Sequence, residues 1–477
     1  MERALPKAHH ALKTIVGLAA FTPLLASAAD LDGSQLSAWW AAPFAGLLLS
    51  IALLPLWTPN FWHHHFGKVA LGWALVFLLP CALLIGGGSA LSTVIHAFTA
   101  EFSPFIILLT SLFVVAGGIC VRGNLHGTPA VNTAILAIGT VLASVMGTTG
   151  AAMLMIRPLI RANDNRQHAV HIIVFFIFLV ANAGGSLTPL GDPPLFLGFL
   201  QGVDFFWTLK NIFPETVFLC LTLLAIFYLL DRHYYQNREE EMPAEWDRTP
   251  DSPLSFEGRV NFILLAVIIA LVLMSGLWKS GLVVNVGGVA IDLQSLVRDG
   301  LLLVVIGLSL WLTPAAARSG NDFSWGPIQE VAKLFAAIFI TIAPVIAMLK
   351  AGQSGAFSAV INAVTYPDGQ PNNMMYFWAT GILSSFLDNA PTYLVFFNTA
   401  GGNPAVLMTT LAATLAAISC GAVFMGAMSY IGNAPNMMVK SIAEERGIRM
   451  PSFFGYMGWS CTVLLPLFVI MSFIFFR

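Results

Sequence analysis

Long apolar stretches recur along the whole chain and are separated by short polar connections. Two examples are FIILLTSLFVVAGGICV (105–121) and FILLAVIIALVLMSGLW (262–278). Each is close to the roughly 20 apolar residues that an α-helix needs to cross the hydrocarbon core of a bilayer. The pattern predicts an all-α polytopic membrane protein with about 10–11 transmembrane helices.

Two apolar segments do not fit as simple spans, because each is interrupted near its middle. Residues 130–161 have basic flanks at both ends and contain GTTGA at the centre. A segment with both ends on one side of the membrane must enter and return, which predicts a re-entrant hairpin with GTTGA at its tip. Residues 373–400 are also interrupted, with LDNAPT at the centre, and predict a second hairpin. Its flanks carry no Lys or Arg, and by helix count it opens to the outside.

Each predicted hairpin is followed by an apolar segment that glycine and proline interrupt. The first broken helix, 168–200, contains NAGGSLTPLGDPP, and the second, 404–440, contains GNAPN. The residue steps from Thr149 to Asp192 and from Asn389 to Asn433 differ by only one. We therefore expect two inverted-topology repeats, 36–230 and 260–477. Broken helices in matching positions of such repeats point to a transporter binding site near the bilayer midplane.

Composition and charge agree with this organisation and orient it. The chain is 57% hydrophobic and 10% charged, whereas soluble domains carry about 25% charged residues. Lysine and arginine accumulate in the loops on one side, so the charged stretch 231–259 is expected to be a cytoplasmic linker between the repeats. Residues 1–30 are typical either of a cleaved signal peptide or of an uncleaved first transmembrane helix.

Small side chains that carry oxygen cluster at the hairpin tips and helix breaks. Oxygen ligands of this kind suit hard cations such as Na⁺ or Li⁺, and the ends of broken helices add fixed partial charges. The candidate ion- or substrate-binding residues of this type are Thr148, Thr149, Asn182, Ser186, Thr188, Ser384, Ser385, Asn389, Thr392, Ser429, Asn433 and Asn436.

Two acids, Asp192 and Asp388, lie among these residues. A charged aspartate at the centre of a transmembrane helix costs about 2.5–3.5 kcal/mol, so such residues are functional candidates. Each can hold either a metal cation or a proton, which is sufficient for cation–proton exchange. We predict a sodium site at Asp192, Asp388 and Asn389. The alternative is that both carboxylates only accept hydrogen bonds from neighbouring backbone amides.

Other functional classes are less compatible with the sequence. The chain has no Walker motif, which argues against ATP-driven transport. No nucleophile–base pattern suggests a membrane-embedded enzyme, and duplicated broken hairpins favour alternating access over a permanent channel. We expect no cofactor and no nucleic-acid partner, only the lipid bilayer and a small transported ion.

The order of hairpin, broken helix, linker, hairpin and broken helix resembles the ion transporter superfamily over most of the chain. The segments GGSLTPLGDPP (184–194) and SSFLDNAPT (384–392) carry this resemblance. The superfamily includes divalent anion–sodium symporters, citrate–metal symporters, arsenite permeases and NhaD-type sodium/proton antiporters. Its carboxylate symporters have a Ser-Asn-Thr triplet at each hairpin tip, where this chain has GTTG (147–150) and DNAPT (388–392).

The resemblance implies a scaffold domain and a mobile transport domain that moves like an elevator, usually within a homodimer. Two acids would repel an anionic substrate, so the altered tips bring the chain nearer to the antiporter and citrate–metal branches. We expect a secondary transporter of the inner membrane that exchanges Na⁺ or Li⁺ for H⁺. The alternative is a cation- or proton-coupled carrier of citrate or another carboxylate, with citrate bound as a divalent-metal complex.

Overall fold

The computed structural model describes residues 31–238 and 252–477. Within these two ranges, ten helical segments are long and apolar enough to cross a membrane. The chain is thus an all-α polytopic membrane protein, as its hydrophobic pattern predicts. The two alternatives for residues 1–30, a signal peptide or a first transmembrane helix, concern a segment outside the described ranges.

The helices and the strand of residues 31–238 follow one another with short connections. In chain order they are α1 (Ala42–Trp57), α2 (Pro59–Pro80), α3 (Gly87–His96), α4 (Ser103–Ala116), β1 (Cys120–Asn124), α5 (Pro129–Met146), α6 (Thr148–Ala162), α7 (Val170–Leu179), α8 (Pro193–Leu200), α9 (Trp207–Asn211) and α10 (Phe213–Arg238). A π-helical turn extends α2 to Ile85, and another joins α3 to α4. The last helix extends into the stretch 231–259 that is predicted to be a linker.

Residues 252–477 have a similar order of elements. They form β2 (Ser252–Glu257), α11 (Val260–Leu277), β3 (Val283–Val286), β4 (Val289–Asp292), α12 (Leu293–Leu312), α13 (Ala315–Gly320), α14 (Gly326–Thr341), α15 (Ala343–Lys350), α16 (Ser358–Ala363), α17 (Asn373–Phe386), α18 (Asn389–Thr399), α19 (Pro404–Met408), α20 (Ala412–Met425), α21 (Ala434–Glu445) and α22 (Phe453–Phe475). A continuous apolar segment comprises α14 and α15.

Two pairs of helices have the extent predicted for the hairpins. The first pair, α5 and α6, is separated by Gly147 alone, whose φ of 83° lies in the left-handed region that favours glycine. The second pair, α17 and α18, is separated by Leu387 and Asp388, which have extended backbone instead. In both pairs the second helix begins immediately after the turn, so its first backbone N–H groups are left at the tip.

The helix breaks after each hairpin depend on close approach of backbone to backbone. α7 ends at Leu179 and α8 begins at Pro193, and a Cβ added to Gly191 would lie 2.1 Å from the carbonyl oxygen of Gly185. Between α20 and α21, a Cβ on Gly432 would lie 2.5 Å from the carbonyl oxygen of Gly426. A side chain at either position would push apart the two backbone segments that meet in each loop. The glycines therefore fix where the second half of each broken helix starts.

The first broken helix lies at the centre of the molecule. Of the 18 residues Val170–Leu187, 89% are buried inside the protein. Only 22% of the most apolar 18 residues of α12 are buried. Outer helices such as α2 and α12 expose leucine and valine side chains on their remaining surface, as expected for helices that contact lipid. Any site at the break is consequently surrounded by protein.

Two short antiparallel ribbons accompany the helices. β1 pairs with β2, with Cys120 opposite Glu257, and β3 pairs with β4. The Arg122–Glu257 ion pair, at 3.2 Å, lies on the exposed surface of the first ribbon. β1 and β2 thus join the connection after α4 to the residues that precede α11.

A buried charged cluster joins the base of the first hairpin to α10. The carboxylate of Asp231 lies 2.7 Å from the guanidinium of Arg166 and 2.8 Å from Nε2 of His171. The Asn132 amide donates to the same carboxylate at 3.0 Å, and Asn132 and Asn163 exchange two further hydrogen bonds. Residues from three other segments therefore contact one carboxylate of α10.

We predict that Asp231→Ala lowers the free energy of unfolding by about 3–5 kcal/mol, because it leaves a buried arginine without its counter-ion. The exposed Arg122–Glu257 ion pair supplies the control, since Glu257→Gln should lower the free energy of unfolding by only about 0–1 kcal/mol. Thermal unfolding of the purified protein in detergent measures both. Equal shifts for the two variants would show that the Asp231 cluster does not stabilise the fold.

Candidate functional site

Four helix N-termini meet at one place in the protein. They are the starts of α6 and α18, at the two hairpin tips, and the starts of α8 and α21, at the two helix breaks. The residue at or just before each start is Thr148, Asn389, Asp192 and Asn433, respectively. Hydrogen bonds between these four side chains bring the termini together. Since each residue comes from a different segment, the site depends on the whole fold.

The carboxylate of Asp192 is the centre of these contacts. It is 2% exposed and accepts hydrogen bonds from Thr148 Oγ1 at 3.0 Å, Asn389 Nδ2 at 2.5 Å and Asn433 Nδ2 at 3.1 Å. Asp192 is the N-cap residue of α8, but its side chain does not cap that helix. The carboxylate faces side chains of the other three helix starts. The alternative that it accepts only from neighbouring backbone amides does not describe these contacts.

Asparagine side chains extend the network away from Asp192. Asn433 Nδ2 also lies 3.3 Å from Asn182 Oδ1, and Asn182 donates to Asn436 Oδ1 at 2.7 Å. Asn436 in turn donates to the carbonyl oxygens of Gly426 and Ser429, both at 2.9 Å. The amides thereby tie the first broken helix directly to the second. Four of the candidate residues, Asp192 included, belong to one continuous buried chain of hydrogen bonds.

Asp388 occupies a different position from Asp192. Its carboxylate accepts from the backbone N–H of Ala390 at 3.0 Å and caps α18. This contact matches the alternative interpretation, in which the carboxylate only accepts a hydrogen bond from a neighbouring backbone amide. Asp388 directly precedes Asn389, which donates to Asp192, so both acids lie close to the second hairpin tip. Neither hydrogen bonds to the other.

Hydroxyl groups bind each hairpin to the broken helix that follows it, in the same way in both halves. Thr188 Oγ1 donates to the carbonyl oxygen of Ser144, and Ser429 Oγ donates to that of Ser385, each across 44 residues. Ser144 and Ser385 in turn donate to carbonyl oxygens that lie 40 residues ahead, those of Gly184 and Met425. These recurring spacings support an internal repeat. They assign Thr188, Ser385 and Ser429 to holding the backbone at the breaks.

The remaining candidates lie around the tips without contacting Asp192. Ser186 shares a hydrogen bond with Thr216 at 2.7 Å, and Thr392 donates to the carbonyl oxygen of Asp388 at 2.9 Å. Ser384 donates to the carbonyl oxygen of Ala422 at 2.6 Å. At the first tip, Thr148 rather than Thr149 contacts the carboxylate. Thr149 is the following residue of the same helical turn and is half-buried.

One oxygen beside Asp192 has no protein partner. Oδ1 of Asn389 is buried and accepts no hydrogen bond, although the amide nitrogen of the same side chain donates to Asp192. A buried acceptor without a partner costs about 1–3 kcal/mol. A cation placed against this oxygen and the carboxylate would satisfy both. In the described ranges no group of three or more His, Cys, Asp or Glu side chains could hold a metal ion, so such a cation needs amide and hydroxyl ligands.

The electrostatics of the site combine opposite contributions. Each helix N-terminus is equivalent to about half a positive charge, so four of them supply roughly two positive charges. Ionised Asp192 and Asp388 would supply two negative charges. The site is therefore close to neutral when both acids are ionised, and it can accept a cation next to Asp192 or an anion at the helix starts.

Sequence reasoning missed two features of this region. Ser144 is as central to the first break as Ser385 is to the second, and its step of 44 residues to Thr188 could have revealed it. The Asp231 cluster leaves no comparable signal. Its members are ordinary polar residues at helix ends, and only the tertiary structure brings them together.

The sequence was also compared with known proteins. The model of one protein family, described as "Putative citrate transport", matches residues 33–476, which is nearly the whole chain. The curated proteins contain no match to the chain.

We predict that Asn433→Asp lowers the thermal unfolding midpoint more than Asn433→Ala. The aspartate would place a second carboxylate within hydrogen-bond distance of Asp192, whereas alanine removes only a donor. Asn398→Asp is a matched control, because Asn398 is buried in α18 but donates only to Leu394 of its own helix. A shift for Asn398→Asp as large as that for Asn433→Asp would argue against any repulsion from Asp192.

Proposed function

The chain belongs to the family whose model matches residues 33–476, and we propose that it is a cation-coupled secondary carrier of a citrate-type carboxylate. In this proposal Asp192 holds the coupling ion, either Na⁺ (or Li⁺) or a proton. The observation that carries the proposal is the buried Asp192 carboxylate beside the unpartnered Oδ1 of Asn389. The protein is then a membrane transporter, not an enzyme.

The two ligands would occupy complementary parts of the site. A cation is favoured next to the carboxylate of Asp192 and Oδ1 of Asn389, which are both hard oxygen ligands. A carboxylate of the substrate is favoured at the starts of α6 and α21, where backbone N–H groups and the helix dipoles attract negative charge. Each bound ion lowers the electrostatic cost of binding the other. This mutual dependence is what couples the two fluxes in a symporter.

The groups around Asp192 would also permit proton coupling. Three neutral donors, Thr148, Asn389 and Asn433, surround Asp192. A proton on the carboxylate would remove its charge without removing any of these side chains. Proton binding and metal-cation binding therefore compete for one group, and a carboxylate transported as its divalent-metal complex would bring the competing cation with it.

We further propose that the hairpins and broken helices move together against the remaining helices, like an elevator, within a homodimer of the inner membrane. The recurring hydrogen bonds at 40- and 44-residue spacing support a unit that moves as one body, since they tie each hairpin to its broken helix. Movement of this unit would expose Asp192 first to one side of the membrane and then to the other.

Sodium(lithium)/proton antiport without a carboxylate is the second candidate. The observation that favours it is the chemistry of the groups around Asp192. Every side chain that donates to its carboxylate is an uncharged amide or hydroxyl. A binding site for a multiply charged anion more often includes arginine, whereas a cation that alternates with a proton needs only the acid and neutral oxygen ligands.

Reconstituted vesicles distinguish the two candidates. The purified protein is placed in vesicles with an internal pH probe and radiolabelled citrate outside, and a Na⁺, Li⁺ or proton gradient is imposed in turn. The carrier predicts citrate uptake that requires a cation gradient and is lost in Asp192→Asn. Proton movement driven by Na⁺ or Li⁺ alone, with no citrate uptake with or without Mg²⁺, would overturn it in favour of antiport.

We predict that Asp388→Asn retains more transport than Asp192→Asn. Asparagine is as good an N-cap as aspartate, so Asp388→Asn preserves the cap of α18 and changes only the charge at the tip. The initial rate of citrate uptake at saturating cation measures the difference. If Asp388→Asn abolished uptake as completely as Asp192→Asn, both acids would be required as ion carriers.

Asn389→Ala should raise the cation concentration for half-maximal uptake about tenfold or more, because it removes a donor to Asp192 together with the unpartnered oxygen. Asn398→Ala is the control, since it removes an amide of similar burial from the same helix. An unchanged cation dependence in Asn389→Ala would remove this side chain from the ion site.

A further inference from the structure

Arg298 is a buried cation in a helix that is expected to cross the membrane. It lies in the second turn of α12, and it is 1% exposed. A charged residue in a transmembrane helix is costly and is by default a functional candidate. Nothing in the candidate site described above uses this side chain.

The guanidinium of Arg298 is only partly satisfied. Nε donates to Asp299 Oδ1 at 2.8 Å, and one terminal nitrogen lies 3.4 Å from Ser275 Oγ, which is a long contact. The other terminal nitrogen, Nη2, is buried and has no hydrogen-bond partner. Asp299 therefore contacts the guanidinium through Nε, while the available edge, formed by the two terminal nitrogens, has only the long contact to Ser275. This edge is one of those that bind carboxylates through two parallel hydrogen bonds.

The position of Arg298 relates it to the candidate site. Its guanidinium carbon lies 6.0 Å from the ring centroid of Phe196 in α8. Phe196 follows Asp192 by one helical turn, which is about 5–6 Å along the axis. Gly276, next to Ser275, also approaches α8, since a Cβ there would lie 3.2 Å from the ring of Phe199. The available edge thus lies where α11 and α12 meet the helix that begins at Asp192.

We propose that, in the conformation of this structure, Arg298 binds a carboxylate group of the transported substrate through its two terminal nitrogens, beside Phe196, which follows Asp192 by one turn of α8. This inference rests on the proposed carboxylate carrier. It adds a second place for a carboxylate, apart from the helix starts, where the arginine would repel the coupling cation. A substrate with several carboxyl groups could offer one to Arg298 and another to the helix starts, whereas a monocarboxylate has only one to offer.

Asp299, which forms an ion pair with Arg298, allows a specific prediction. Asp299 shares the guanidinium and carries a charge of the same sign as the substrate. Asp299→Asn should therefore lower the KM for citrate, although it removes an ion pair. Arg298→Gln should raise that KM about tenfold to a hundredfold, in line with the loss of charged hydrogen bonds. Arg298→Lys keeps the charge but loses the planar fork, so an intermediate value is expected.

The experiment measures citrate uptake into vesicles by the full-length protein and the three variants, at varied citrate and varied Na⁺ or proton concentration. The expected result is a change in the KM for citrate in the order Asp299→Asn, wild type, Arg298→Lys, Arg298→Gln, from lowest to highest. The cation concentration for half-maximal uptake should change less than twofold. Competition by acetate and by a tricarboxylate, measured in wild type and Arg298→Lys, tests whether several carboxyl groups are needed.

Each outcome supports or overturns the inference. If the KM for citrate stays constant while the unfolding midpoint falls, Arg298 only packs α12 against α8, and the inference is wrong. If Arg298→Gln does not fold, the KM values of Arg298→Lys and Asp299→Asn test the inference instead. Arg298→Lys keeps a cation at this position, and Asp299→Asn keeps the guanidinium. If the wild type transports no carboxylate but exchanges Na⁺ for H⁺, the proposed function fails first, and the role of Arg298 is rejected with it.

Discussion

The carboxylate of Asp192 is the interaction on which the organisation of this protein depends. It is removed from water, and it is held by side chains at the starts of three other helices, Thr148, Asn389 and Asn433. Two of these side chains belong to the second half of the chain, so one acid of the first half joins both halves. A buried carboxylate with three good donors is tolerated where an isolated one would not be.

Hydrogen bonds of the same sequence spacing recur around Asp192 in both halves of the chain, but the chemistry of the two halves differs. Hydroxyl bonds of equal sequence spacing hold both helix breaks, through Thr188 in one half and Ser429 in the other. Yet the first break carries an aspartate where the second carries Asn433, and the first tip turns on Gly147 where the second turns on Asp388. One ionisable group thus faces neutral amides at the centre. Such an arrangement can change its charge by binding a single ion at Asp192.

Much of this fold could be predicted from local sequence. Glycine and proline inside apolar stretches marked both breaks and both tips, because clusters of such residues often interrupt a helix, and Asp192 stood out as a charge among them. The roles of individual residues were less accessible. Whether Asp388 caps α18 or faces Asp192, and whether Thr148 or Thr149 makes the contact, depends on side-chain direction within one helical turn. Asp231 acquires its partners only from distant segments, and Arg298 meets Ser275 and Phe196 of other helices in addition to Asp299 beside it. A single sequence does not reveal such distant contacts.

The most direct test of this account is equilibrium binding of citrate to the purified protein at a series of Na⁺ concentrations and pH values, measured by calorimetry. If Asp192 holds the coupling ion beside the carboxylate site, the cation raises the affinity for citrate, and citrate raises the affinity for the cation by the same factor. Asp192→Asn should abolish this mutual dependence. Citrate binding that is independent of both Na⁺ and protons, or that keeps its dependence in Asp192→Asn, would contradict the account.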